Sequence, residues 1–376
     1  MKLGIDGQKL PEAKKRGPLA SLDHVKELGL KGVFFTTVLD MSPNLDVGEL
    51  RDIRAKADDL GLYIESGLGK INPYCSAEAP ELRAAGDGDI IAGLTRMMEA
   101  SAAIGCREMW VSPGNFKPAY PGRLAVDRFR TDVTWEEQLL AIERVLQKLA
   151  PAARANGVHM NIETHDEITS FEIVRLIEKV GADCVGVVLD TANMVQRGEH
   201  PVFAAKRVAP YIRQTHIKDA YVGRAPGGFD FQPRPCGGGV VDFASILPIL
   251  ADVNSELNLS LEIAQSVEDN RRQANPRQCI QLEDPIWRAG HPDLTAEELD
   301  AYIEMVDAYE KRVASGECPS WEEFESSHYG YPTYEIQSYG YNEAIAFIRQ
   351  SAQHIENLCA EKGIVLSSTA TKQKAA

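Results

Sequence analysis

The chain has 376 residues, 44% of them apolar, and a formal net charge of −15, which suits a soluble fold with a sizeable core in one to three domains. The acidic balance argues against an open nucleic-acid surface, though not against a local basic groove. No apolar run reaches the roughly 18 residues of a membrane span, the opening MKLGIDGQKL has no apolar leader core, and seven scattered cysteines without a CxxC pair fit reduced thiols of a cytoplasmic protein.

Short apolar runs recur in chain order: KLGID (2–6), GVFFTT (32–37), LYIESG (62–67), EMWVSP (108–113), VHMNIET (158–164), VGVVLD (185–190), YIRQTHIKD (211–219) and LSLEIA (259–264). Segments with helical spacing lie between them, among them SLDHVKELGL, VGELRDIRAKADDLG and WEEQLLAIERVLQKLAPAARANG. Most of these segments close on Gly or Asn, a helix-stop signal. Alternating strands and helices imply parallel strands with crossovers. Eight units predict a closed (β/α)8 TIM barrel rather than an open doubly wound sheet, because no Gly-rich dinucleotide fingerprint follows the first strand. GLGK at 67–70 reads as a turn.

After the eighth strand the closing helix is delayed. NEAIAFIRQSAQHIENLCAEKG (342–363) is the candidate for it. The expected organisation is therefore a catalytic barrel of residues 1–265 plus 341–366, an insert of residues 266–340, and a disordered tail of 367–376. A loop this long is rarely structureless. The insert holds a helical pattern at 295–316 and the aromatic stretch SSHYGYPTYEIQSYGY (326–341). It leaves the barrel at its C-terminal face, where it would serve as a lid or an assembly arm, or as decoration.

In VHMNIETHDE (158–167) the polar residues His159, Asn161, Glu163 and His165 alternate with apolar ones, the two-residue period of a strand. In a barrel that row faces the interior, with Glu163 and His165 at the mouth. The same parity brings Asp190 to the end of strand six, puts Gln214, His216 and Lys218 in one row of strand seven, and places Glu262 at the top of strand eight. Three carboxylates and an imidazole converging there would repel unless a cation lay between them. This donor set suits Mn²⁺ first, then Mg²⁺ or Co²⁺, and admits Zn²⁺.

The stretches NIETH (161–165), LDTAN (189–193), THIKD (215–219), LEIAQ (261–265) and CGGGVVDF (236–243) resemble the xylose-isomerase-like barrel superfamily of sugar isomerases and epimerases. The ketose 3-epimerase type is close in motif pattern. The resemblance covers residues 1–265 and the last helix. It implies Glu163, Asp190, His216 and Glu262 as metal ligands, with Glu163 and Glu262 doubling as the acid/base pair. Asn193 stands where the family often has His, and it remains a hydrogen-bonding candidate for a substrate hydroxyl.

A divalent ion polarises a carbonyl and acidifies the neighbouring C–H, and a carboxylate in reach can take that proton. Its return to the adjacent carbon isomerises, and its return to the other face epimerises. Loss of a β-leaving group eliminates, as in inosose dehydratase-like barrels or barrels that cleave 3-oxo-glycosides. His165 is catalytic or orients Glu163. Lys218, Trp110, and Arg224 and Arg234 on the loop after strand seven are candidate substrate contacts, and Trp287 and His291 would join them if the insert folds over. The expected partner is a small sugar or glycoside, with a homo-oligomer and a possible small partner subunit. An apurinic-site endonuclease would need a His-rich metal cluster that eight histidines spread along an acidic chain do not suggest. A metal-free sugar-binding or scaffold subunit is the remaining class.

Overall fold

The structure is a computed structural model that describes residues 1–115, 117, 120, 122–262, 278–324 and 340–367. The aromatic stretch from 326 to 339 and the tail from 368 lie outside the described residues. Eight parallel strands close into a barrel. They are β1 (Lys2–Asp6), β2 (Gly32–Phe34), β3 (Tyr63–Lys70), β4 (Glu108–Ser112), β5 (His159–Glu163), β6 (Val185–Asp190), β7 (Ile212–Ile217) and β10 (Asn258–Leu261). Residues of both strand faces are almost entirely buried, as a sheet covered by helices requires. Several helices start on side-chain caps and stop on left-handed glycines. Asp46 and Thr134 cap Val47–Leu60 and Trp135–Asn156, and Gly61 and Gly157 end them at φ 70° and 60°.

Two local expectations fail. GLGK is not a turn, since it forms the last four residues of β3. A Cβ at Gly67 would lie 2.2 Å from the Thr36 carbonyl oxygen, so this glycine lets neighbouring backbones approach. Nor is the stretch after β7 a plain loop. It is a hairpin of β8 (Asp219–Ala225) and β9 (Gly228–Arg234), turned at Pro226–Gly227 with Gly227 at φ 88°. With β11 (Gln278–Ile280) the hairpin makes a three-stranded antiparallel sheet at the C-terminal end of β7.

Asp219 anchors this layer. Its buried carboxylate accepts the backbone N–H groups of Ala220, Gly237, Gly239 and Val241 at 2.9–3.0 Å. The CGGG run is thus folded around one side chain, and a Cβ at Gly239 would lie 2.2 Å from its Oδ1. The insert helix Ala296–Ala314 clamps the same run, with Tyr309 Oη donating to Gly238 O at 2.8 Å and Arg312 Nη1 to Gly239 O at 3.0 Å. The closing helix, Tyr341–Glu361, packs against the helix Phe243–Val253 and β10. Among the described residues no helix is long and apolar enough to cross a membrane. Cys75, Cys106, Cys184, Cys236, Cys318 and Cys359 are free and buried.

Candidate active site

Four neighbouring strands carry the cluster. Glu163 ends β5, Asp190 ends β6 and lies in register with His216 of β7, and Glu262 follows β10, its N–H bonded to Ile217 O at 3.0 Å. One potential ligand atom from each residue lies within 4.8 Å of the other three, a spread that fits one cation with bonds of about 2.0–2.6 Å. His216 stands between the glutamates, with Nδ1 2.7 Å from Glu163 Oε1 and 3.6 Å from Glu262 Oε2. Trp110 Nε1 donates to Glu163 Oε2 at 2.7 Å. Asp190 Oδ1 accepts the N–H groups of Ala192 and Asn193, both at 2.8 Å, which aims Oδ2 into the cluster.

The chain's own cations only partly offset these carboxylates. Lys218 Nζ lies 3.0 Å from both Asp190 Oδ2 and Glu262 Oε2 and donates to Asn193 Oδ1 at 3.0 Å. Lys9 Nζ is 3.7 Å from Glu262 Oε1, beyond hydrogen-bond reach. His216 Nε2 is buried without a hydrogen bond among the described residues, and the buried Asp190 Oδ2 meets the Lys218 ammonium of its ion pair. A buried polar atom is rarely left without a hydrogen bond, and an unbonded imidazole nitrogen among three carboxylates fits a divalent ion.

The site drives its ionisable groups apart. Burial pushes the Asp190 carboxyl up to about 7 against the pull of Lys218. Burial also works to raise Glu163 and Glu262, but the charge of His216 holds Glu163 below the usual carboxylate range, and Lys218, Lys9 and His216 do so for Glu262. His216 loses proton affinity to burial and regains more from Glu163 and Glu262, reaching about 9. His165 goes the same way to about 10, through Glu167 and Asp166. Such divergence is typical of functional clusters.

Above the cluster opens a cavity of about 490 Å³. His165, Asn193, Lys218 and Trp110 line it, with Phe231 and Pro233 of the hairpin forming an apolar wall. Gln214 sits lower in the barrel, where its Oε1 accepts from Asn161 Nδ2 at 2.8 Å. Arg224 and Arg234 do not reach the cavity. Arg224, on the solvent side of the hairpin, pairs with Asp307 at 2.5 Å and with Glu310. Arg234 is buried among Pro319 O, Ser320 O and the Phe324 ring, whose centroid lies 4.0 Å from its Cζ, so it ties the hairpin to the insert. Trp287 and His291 also miss the cavity. They stack at 3.7 Å between centroids and wedge against Arg197.

Sequence reasoning missed Asp6, Lys9, Asp166, Glu167 and Gln196. All but Glu167 line the cavity. Asp6 ends β1 as Asp190 ends β6, so the strand-end rule could have found it; burial pushes its carboxyl up to about 6. Lys9, Asp166 and Glu167 lie on loops and Gln196 in a short 3-10 turn (Asn193–Arg197), where no strand or helix periodicity marks an inward side chain.

The model of a family described as xylose isomerase-like TIM barrel matches residues 22–281. Over 92 residues the chain is 36% identical to the protein YihM of Escherichia coli (strain K12), across 24% of this chain and 28% of that protein. Over 134 residues it is 25% identical to inosose dehydratase of Bacillus thuringiensis (strain Al Hakam), across 31% of this chain and 44% of that protein. The matched stretches thus span less than half of either relative. Among solved structures, the apo 3-keto-D-glucoside 4-epimerase YcjR of E. coli superposes with a TM-score of 0.51 at 17% identity, covering 83% of this chain and 99% of that one. A D-psicose 3-epimerase in the presence of D-fructose gives 0.53 at 19% identity, covering 81% and 97%. A Mycobacterium smegmatis protein in complex with magnesium gives 0.52 at 16%, covering 82% and 97%. At these identities the structural likeness is one of fold, the fold of known sugar epimerases. The family model covers most of the chain, and the chain belongs to the xylose isomerase-like TIM barrel family.

Proposed function

We propose that this protein is a divalent-metal-dependent isomerase or epimerase that moves a proton at the carbon next to the carbonyl of a keto sugar or keto-sugar derivative. The observation that carries the reading is the convergence of Glu163, Asp190, His216 and Glu262, with the buried His216 Nε2 unbonded among the described residues. These four would hold the ion, with Mn²⁺ the first choice for three carboxylates and one imidazole. The chemistry such an ion supplies when bound is Lewis-acid polarisation of a carbonyl.

The chain's residues supply the rest. Glu163 and Glu262 approach from either side of His216, so one carboxylate can take a proton from one face of a carbon and the other return one to the opposite face. Trp110 fixes Glu163 by its 2.7 Å hydrogen bond. Lys218 and Asn193, joined at the cavity floor, are placed to bind substrate hydroxyls. The insert acts through the hairpin, whose Phe231 and Pro233 bound the cavity and whose position Arg234 and the contact of Tyr221 with Tyr309 secure.

A second reading is a lyase that eliminates a β-leaving group from a 3-oxo-glycoside or an inosose. It is favoured by His165, a third proton-active group on the cavity wall with Nε2 4.0 Å from Glu163 Oε2. The curated relatives include inosose dehydratases, matched over 44% of their length. Incubation of the Mn²⁺-loaded protein in D₂O with ketoses, inososes and 3-oxo-glycosides tests both. Deuterium at the carbon next to the carbonyl of an isomerised sugar supports the first reading, and release of water or an aglycone supports the second. No exchange and no release across the panel would refute both.

A further inference from the structure

Glu167 is a buried carboxylate that the proposed chemistry leaves without a task. Its side chain is fully shielded, and Oε1 has no hydrogen-bond partner among the described residues. Oε2 lies 2.8 Å from His165 Nδ1. A carboxylate accepts, so Nδ1 carries the hydrogen. The ring is thereby turned so that its other nitrogen, Nε2, faces Glu163 Oε2 at 4.0 Å and the cavity.

Glu167 is itself held from two sides. Its backbone carbonyl accepts from Arg128 Nη1 at 2.9 Å, and Arg128 is fixed by both oxygens of Glu172 at 2.8 and 3.0 Å. Its carboxyl lies over Gly114, where a Cβ would sit 2.5 Å from Glu167 Cδ. A purely structural role does not account for this. The bond to Arg128 uses the backbone, and an apolar side chain would fill the space over Gly114 without an orphaned oxygen. The part that only a carboxylate or carboxamide can play is to hold the His165 ring.

We infer that Glu167 is a positioning residue. Its Oε2 fixes the His165 imidazole so that Nε2 addresses the substrate beside Glu163. The catalytic half of this statement rests on the proton-transfer reading above, whereas the ring-holding half does not.

The test uses the full chain, metal-free, with ¹⁵N-labelled histidine. A downfield, slowly exchanging Nδ1–H resonance is expected that disappears in His165→Gln and in Glu167→Ala. It should remain in Glu167→Gln, which keeps an acceptor oxygen and nearly the same shape. With Mn²⁺ and a sugar that turns over, Glu167→Ala should lower kcat about 10–100-fold. KM should change less than about threefold, the sign of an interaction used in the transition state, and Glu167→Gln should restore most of the rate. Persistence of the resonance in Glu167→Ala, its absence from the wild type, or an unchanged kcat would overturn the inference. Should Glu167→Ala fail to fold, the near-isosteric Glu167→Gln and the His165→Gln spectrum decide the matter. If no sugar turns over, the functional reading fails while the resonance still decides whether Glu167 holds the ring.

Discussion

The barrel mouth and the clamp between hairpin and insert both bury charge, by opposite rules. At the mouth, three carboxylates share one imidazole and Lys218, and His216 Nε2 stays unbonded among the described residues. In the clamp, charge meets fixed partners of the chain itself. Asp219 accepts four backbone N–H groups, and Arg234 sits between two carbonyls and the Phe324 ring. A charge satisfied from within marks architecture. A cluster of like charges left open toward a cavity marks a place for something from outside.

Changes at the mouth should therefore cost function, and changes in the clamp should cost stability. The largest effect is expected from Glu262→Gln, which removes one of the two proposed proton carriers. Turnover should fall by about 10²–10⁴-fold with little change in the melting temperature of the metal-free protein, and steady-state kinetics beside a thermal melt would show a broken contrast if the order reversed. In the clamp, Asp219→Asn points an NH₂ at backbone N–H donors that now find an oxygen. Unfolding in urea should show a loss of about 2–3 kcal/mol, and an unchanged midpoint would remove Asp219 as an anchor. Tyr309→Phe deletes one hydrogen bond to Gly238 O and should cost about 1 kcal/mol, without altering metal affinity.

A third kind of buried charge sharpens the comparison. Glu65, inside the barrel, is bonded through Oε1 to Asn258 Nδ2 at 2.9 Å, and burial pushes its carboxyl up to about 8. The folded state keeps a proton that the unfolded chain releases near 4.5, so this group's contribution to stability falls as pH rises from there to about 8 and then levels. Glu65→Gln keeps the acceptor and removes the ionisation. The variant should gain stability over the wild type as pH goes from 5 to 8 in denaturation experiments, and a constant difference would place Glu65 in its ionised form throughout.

The eight strands were legible because each is a short apolar run followed by a helical pattern, most of them with a Gly or Asn stop. The four-residue cluster was legible because strand parity fixes which residues end up at the mouth. The hairpin was not, although Pro226–Gly227 between alternating residues was a usable turn signal, because eight strands already completed the barrel. Arg224 and Arg234 were assigned to substrate from their loop position alone. Once that loop is a hairpin packed on the insert, Arg224 faces solvent and Arg234 is enclosed. Glu167 was illegible for another reason. It lies one turn beyond β5, where only the packing over Gly114 tells which way a side chain points.

The central claim is that Glu163, Asp190, His216 and Glu262 together hold one divalent ion. Its most direct test is a Mn²⁺ titration of the wild type and of Asp190→Asn at neutral pH, with bound metal counted per chain. Binding of one ion to the wild type, and sharply weakened binding to a still folded Asp190→Asn, is the predicted result. A wild type that binds no ion, or an Asp190→Asn variant that binds one as tightly, would contradict it.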